Sequence, residues 1–176
     1  MKSLECGLLL NKAGKKRYFN EDAHARLIRY VTRTNGMPKD GLAAWGGLGV
    51  AEFMGVAAVI GQFCEVQKTH TRQGGFGRRA DHEVYSFSRD EERLIRENRL
   101  DVDGIARAMA YDFYERDHCQ VVYGVHKPDN NDSHLHVHFV INSVDYATGN
   151  KRRENRRQTR ERQERFGRIV RERAGI

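Results

Sequence analysis

Hydrophobic and polar positions change period several times along the chain. Glu5–Leu10 ends in a short apolar run that fits a strand. Asn20 is a good N-cap, Glu21 and Asp22 follow in a first turn, and Leu27, Ile28 and Val31 then recur at helical spacing. Asn35-Gly36 is a stop signal, so the spacing predicts a helix over about Glu21–Thr34. Met37–Gly49 reads as a turn-rich connection. Val50–Lys68 reads as a second helix with Phe53, Val56, Ala57, Ile60 and Cys64 on one face. Gln73–Arg79 is a Gly/Arg loop, and His82–Ser88 alternates as a strand. Asp101–Glu115 predicts a third helix with Val102, Ile105, Met109 and Phe113 on one stripe. Gln120–Val125 and His134–Val144 read as strands joined by a hairpin loop, Lys127–Ser133, rich in Asp and Asn. A last helix starts near Glu154, with Phe166, Ile169 and Val170 as its apolar patch. Interleaved strands and helices with an antiparallel hairpin predict an α+β layered domain.

Composition narrows this picture. Hydrophobic residues make up 39% of the 176, enough for the core of one domain. Three cysteines, Cys6, Cys64 and Cys119, without C-x-x-C spacing, fit reduced cytosolic thiols. The apolar stretch Ala43–Phe63 is broken by Glu52 and several glycines, so no membrane insertion is expected. Charge is unevenly placed. Residues 151–176 hold eleven basic and four acidic residues, a net +7 equal to that of the whole chain, and residues 1–150 are neutral. The expected organisation is a domain at 1–150 followed by a basic helical tail at 151–176, the start of a longer C-terminal region. Such a tail suits a polyanion such as nucleic acid.

Four of the eight histidines, His126, His134, His136 and His138, fall within thirteen residues. Alternate strand residues share a face, so His134, His136, His138, Val140 and Asn142 point one way, and Leu135, Val137, Phe139 and Ile141 point to the core. A histidine ladder has no apolar explanation, because each imidazole carries a polar nitrogen that must be satisfied. Neutral imidazoles are common ligands for divalent metals. The hairpin returns His126 beside the ladder, which makes a three-imidazole site with open positions. A tight hairpin pairs His126 with His134 and favours His126, His134 and His136; a staggered loop favours His136 and His138. Spacing leaves the choice open.

His126, Asp129 and Asp132, followed by His134-Leu-His136-Val-His138-Phe-Val-Ile-Asn142, resemble the histidine motif of conjugative relaxases of the MobA/VirD-like (MOBP) group, in the HUH endonuclease superfamily. Leu27-Ile-Arg-Tyr30-Val-Thr-Arg33 resembles that family's nucleophile motif, and Arg78-Arg-Ala-Asp-His82-Glu-Val-Tyr-Ser86-Phe87-Ser88 its middle motif, in the same order. The resemblance spans roughly residues 20–150. It implies an antiparallel sheet carrying the metal site with helices packed on the other face. Its register, anchored on Asn142, implies His126, His136 and His138 as ligands, with His134 accessory. The loop after His126 is about three residues longer than the family's, so the roles of Asp129 and Asp132 stay open between base and partner to a ligand.

The implied activity is site- and strand-specific nicking of DNA at an origin of transfer, followed by strand transfer. The Tyr30 hydroxyl attacks the scissile phosphorus, giving a 5′-phosphotyrosyl link and a free 3′-OH. A divalent cation, Mg²⁺ or Mn²⁺, polarises the phosphate. Arg26, Arg33, Arg78, Arg79, Ser86 and Asn142, with Arg153, Arg156, Arg157 and Arg160 of the tail, are the expected DNA contacts. The implied partners are single-stranded origin DNA, accessory relaxosome proteins and a coupling protein. Two rival readings remain at this point: a histidine-triad nucleotide hydrolase or transferase, and a rolling-circle replication initiator using Tyr146. Gly46-Gly47-Leu48-Gly49 and Gly74-Gly75-Phe76-Gly77 lack the Lys-Ser/Thr of a phosphate loop.

Overall fold

A computed structural model describes residues 5–11, 18–70, 77–129 and 133–176. Five strands, β1 (Leu8–Asn11), β2 (Leu42–Leu48), β3 (Ala80–Ser86), β4 (Val121–His126) and β5 (His136–Asn142), form one antiparallel sheet in the order β1-β3-β5-β4-β2. Five helices accompany it: α1 (Ala23–Val31), α2 (Val56–Thr69), α3 (Arg89–Glu97), α4 (Val102–Asp117) and α5 (Arg156–Arg173). The two central strands, β5 and β4, carry the histidines.

The pleat sorts the sheet into two faces. Val137, Phe139 and Ile141 of β5 meet Val121, Tyr123 and Val125 of β4 on one face, under Ile105, Met109 and Phe113 of α4 and Phe166 and Val170 of α5. This is the helix-covered face that the alternation in β5 predicts. Helices also cover part of the histidine face. Leu27, Ile28 and Val31 of α1 and Val59 and Phe63 of α2 pack on Ala80, Val122 and Val140.

Several local expectations change. Leu42–Leu48, expected as a turn-rich connection, is an edge strand paired with β4. Its Leu-Ala-Ala-Trp-Gly-Gly-Leu sequence has little strand propensity, and the neighbouring strand supplies the ladder. A Cβ at Gly47 would lie 2.5 Å from Val50 Cγ2, so the small residues admit close packing there. The second helix starts at Val56 and buries Val59, Phe63 and Gln67, a stripe one step away from the predicted one. Phe53 and Met54 sit instead on an exposed 3₁₀ turn, Glu52–Met54. Arg89–Glu97, given no element by the pattern, is a helix with a complete capping box between Ser88 and Glu91.

The basic tail is part of the domain. Phe166 and Val170 are fully buried, and Gly167 lets the helix lie against Cys6, whose Sγ would be 2.3 Å from an added Cβ. Arg152 and Arg162 are buried with carboxylate partners from the body of the domain. A boundary at 150/151 therefore cuts through the core. The small apolar patch of this helix suffices for docking because two buried arginines, Arg152 and Arg162, extend the docked surface.

Candidate metal and nucleophile site

The register of the central strands decides which histidines converge. β4 and β5 pair His126 with His136 and Gly124 with His138. One nitrogen each of His126, His136 and His138 lies within 4.8 Å of the others. The alternative pairing, His126 with His134, would need a tighter hairpin than the chain forms. His134 lies just before β5. Its Nδ1 is 3.4 Å from Glu92 Oε2 of α3, and its carbonyl accepts a 2.7 Å hydrogen bond from His136 Nδ1. That bond leaves His136 Nε2 as the ligand-side nitrogen.

His126 is buried, and its Nε2–H donates to the Val31 carbonyl at 2.9 Å. Its Nδ1 faces the Arg33 guanidinium at 3.2 Å, a donor that a bound cation would displace from this nitrogen. Burial, the Arg33 charge and the neighbouring His136 together outweigh the Val31 bond and push the His126 imidazole down to about 4. Burial and the surrounding imidazoles depress His138 even further. Both rings are therefore neutral near pH 7, the form that ligates cations. His138 Nε2 is buried and has no hydrogen-bond partner among the described residues. An orphaned buried nitrogen beside two further imidazoles fits a divalent cation, and its donor set is neutral nitrogen throughout.

Tyr30 reaches this cluster from the last turn of α1. Its ring centroid lies 5.3 Å from that of His138 and 5.9 Å from that of His126, both edge-to-face. Arg33 lies over the same ring at 5.6 Å from its centroid. Arg33 is buried and adopts φ 52°, a left-handed conformation unusual for a side chain of this size. This conformation follows the end of the helix at Val31, earlier than the Asn35-Gly36 signal, and sends the guanidinium back toward His126.

Gly124 makes this approach possible. A Cβ there would lie 2.1 Å from the Val31 carbonyl oxygen, so α1 seats its C-terminal end on bare strand backbone. Gly124→Ala is expected to cost about 1–3 kcal/mol by overpacking and to move α1, Tyr30 and the His126–Val31 bond together. A urea melt beside a measurement of covalent DNA adduct checks this. A stable variant with unchanged adduct yield would contradict it.

The sequence profile of the relaxase family described as MobA/VirD2-like, nuclease domain, matches residues 30–174. The chain belongs to this relaxase family. No curated protein sequence matches the chain. Among solved structures, the conjugative relaxase TrwC in complex with oriT DNA, in its metal-bound form, is similar in fold. The TM-score is 0.51 at 15% identity, covering 96% of this chain and 68% of that one. The profile match begins at Tyr30 and runs through α5, in agreement with the packing of that helix into the core.

The remaining expected site residues of the relaxase distribute as follows. Asp129 is exposed on the loop after β4 and lines a cavity of about 440 Å³ with Arg33, Met37, Pro38 and Lys127. Asp132 lies outside the described residues. Arg26 is ion-paired with Asp22 at 3.1 Å and lines a second cavity, of about 360 Å³, with Tyr18 and Tyr30. Ser86 pairs with His136 and so shares the histidine face. Arg153, Arg156, Arg157 and Arg160 are exposed, with Arg157 paired to Glu161.

Three expected DNA contacts are engaged by other groups of the domain. Asn142 is fully buried, and its amide bonds Gln67, Gln120 and the Phe63 carbonyl. Arg78 pairs with Asp81 at 2.7 Å and donates to the Arg152 carbonyl. Arg79 Nη1 lies 3.4 Å from Gln67 Oε1. Tyr146, the rival nucleophile, packs on Tyr114 and His118, past the end of β5 that lies away from His136.

Two contributors were missed by sequence reasoning. Glu92 of α3 accepts from the Leu135 amide at 2.5 Å and faces His134, bracing the start of β5. The Ser88-x-x-Glu91 pattern was its available signal. His82, which the sequence places only at the start of a strand, is buried on the histidine face of β3. Its period-2 phase with Ser86 was the available signal.

Proposed function

We propose that this relaxase nicks single-stranded origin-of-transfer DNA with Tyr30 as nucleophile and with His126, His136 and His138 holding a divalent cation, Mg²⁺ or Mn²⁺. The observation that carries the reading is the Tyr30 ring set edge-on to both His126 and His138. A tyrosine from one helix and three imidazoles from two strands meet at one point, as attack on a phosphodiester requires.

The Tyr30 hydroxyl oxygen gives up its proton and forms a bond to the scissile phosphorus, the P–O3′ bond breaks, and the leaving 3′ oxygen takes a proton from solvent. The products are a 5′-phosphotyrosyl link and a free 3′-OH, and the bond energy retained in the ester makes strand transfer possible. The bound cation would supply Lewis-acid polarisation of a non-bridging phosphate oxygen. Arg33 places a fixed positive charge beside the attacking phenol, suited to charge that develops on the phosphate. Asp129 is the candidate proton acceptor: it follows His126 by three residues and shares a cavity with Arg33. Asp132 belongs to the same reading, and His134, held by Glu92, has an accessory role.

One cavity is lined by Tyr30 and the other by Arg33, whose guanidinium lies over the Tyr30 ring, and together they suit a strand running past Tyr30. Arg26 borders one, and Ser86 lies beside His136 on the same face. The exposed Arg153, Arg156, Arg157 and Arg160 belong to the segment docked on the opposite face, where they suit sequence-independent contact with a longer DNA or with a relaxosome protein. A coupling protein and accessory relaxosome proteins complete the reading. No helix among the described residues is long and apolar enough to cross a membrane, and we place the protein in the bacterial cytoplasm.

The test is an SDS-resistant protein–DNA adduct on an origin strand with Mg²⁺ or Mn²⁺ added. His136→Ala is expected to lower adduct yield by more than about 100-fold and to abolish stoichiometric Mn²⁺ binding, because two imidazoles remain in a site built for three. Adduct formation at the wild-type rate in a chelator would refute the cation's role.

A further inference from the structure

We infer that His82 is a positioning residue that fixes the ring orientation and tautomer of His138, and that Tyr18 in turn orients His82. The inference rests on the reading of His126, His136 and His138 as a cation site.

The placement follows from strand register. β3 pairs with β5 so that His82 opposes Val140 and Val84 opposes His138. His82 therefore lies on the histidine face, one diagonal step from His138. The two rings are 7% and 6% exposed and stack at 5.1 Å between centroids with planes 25° apart. His82 Nε2 lies 2.9 Å from His138 Nδ1, and the Tyr18 hydroxyl lies 3.1 Å from His82 Nδ1.

Proton bookkeeping then gives the line a direction. A hydrogen bond between two neutral imidazoles needs one N–H and one lone pair. His138 Nδ1 faces His82, so Nε2, buried and without a hydrogen-bond partner among the described residues, is the nitrogen left for a cation. A ligand nitrogen must present a lone pair, which puts the His138 proton on Nδ1. That N–H donates to His82 Nε2. His82 then carries its own proton on Nδ1 and donates to the Tyr18 hydroxyl oxygen. The opposite arrangement would bury a proton on His138 Nε2 with no acceptor, which is costly.

The identity of the partner matters. Metal-ligating histidines commonly donate their second N–H to a carboxylate, a backbone carbonyl or water. Here the acceptor is a neutral imidazole. The carboxylates on either side of it, Asp81 and Glu83, point to the other face of β3 and are engaged by Arg152. The donor set and its support around His138 thus add no negative charge, and the cation would keep its full charge for an anionic phosphodiester.

The experiment uses the full chain, first metal-free and then with Mn²⁺ alone. Long-range ¹⁵N–¹H NMR of the imidazoles reports the tautomers, and calorimetry reports Mn²⁺ affinity. Wild-type protein is expected to hold His138 with its proton on Nδ1. His82→Ala is expected to release His138 into a tautomer mixture and to weaken Mn²⁺ binding by about 10–100-fold. His82→Gln, whose amide oxygen can accept the same N–H, is expected to recover most of that loss, and Tyr18→Phe to give a smaller one. The wild-type spectrum needs no variant, so an unfolded alanine variant leaves the test standing. A wild-type His138 protonated on Nε2 would overturn the inference. So would a folded His82→Ala variant with unchanged Mn²⁺ affinity and tautomer. Wild-type protein that has the Nδ1 proton but binds no Mn²⁺ would support the hydrogen-bonded line and refute the cation-site reading, so the two fail separately.

Discussion

Tyr30→Phe is expected to bind its origin strand within a few-fold of wild type, to form no covalent adduct, and to lose about 10⁴-fold or more in nicking rate. The size of the effect follows from what is removed. The ring stays, and with it the edge-to-face packing on His126 and His138 and the contact with Arg33. The hydroxyl proposed to form the phosphotyrosyl bond is gone, and among the described residues no other phenol shares this position. Tyr18 is engaged with His82 Nδ1 through its own hydroxyl, and Tyr146 lies against Tyr114. Loss of one partly exposed hydroxyl costs the fold about 1 kcal/mol or less. The check pairs an adduct gel with a fluorescence binding titration on the same preparation. Persistence of the adduct would remove Tyr30 from the mechanism.

Arg152→Ala is expected to lower unfolding free energy by about 3–5 kcal/mol, a third or more of the stability of a typical domain. Arg152 is 4% exposed and reaches Asp81 at 3.0 Å, Glu83 at 2.9 Å, Asp117 at 2.7 Å and Glu154 at 2.9 Å. Removal of the cation leaves these carboxylates facing one another at the edge of the core. Burial pushes the Glu83 carboxyl up to about 8 against the pull of Arg152, and loss of that guanidinium would raise it further. Arg162 shares Asp117 and Glu154 and lies 4.1 Å from the Phe113 ring centroid, which ties α5 to the same network. Truncation before Asn155 removes Arg162, Phe166 and Val170 together and is expected to abolish cooperative unfolding. Urea melts measure both. A variant within 1 kcal/mol of wild type would mean that water or neighbouring arginines replace Arg152.

The two effects lie on opposite faces of one sheet. The strand β3 links them: His82 faces the imidazoles, and Asp81 and Glu83 face the arginines of the docked tail. The basic segment thus reaches the histidine face through the backbone it steadies, from behind the sheet.

The sequence by itself determined the chemistry. Period-2 alternation set His136 and His138 on one face with Val137, Phe139 and Ile141 on the other, because a strand offers only two directions. The amphipathic run around Leu27, Ile28 and Val31 put Tyr30 on a helix for the same kind of reason. Tertiary structure decided what depends on partners distant in the chain. Pairing of His126 with His136 brought His126, His136 and His138 together, since register is a property of two strands. Gly124 seated α1 on β4, a contact that no local pattern records. The register of β3 against β5 brought His82 to His138. Arginines of the C-terminal segment 151–176 read as free charge until their carboxylate partners, up to 71 residues away in the case of Asp81 and Arg152, came within hydrogen-bonding distance. Composition counts charges but cannot say which are paired, because pairing is fixed only when the chain closes on itself.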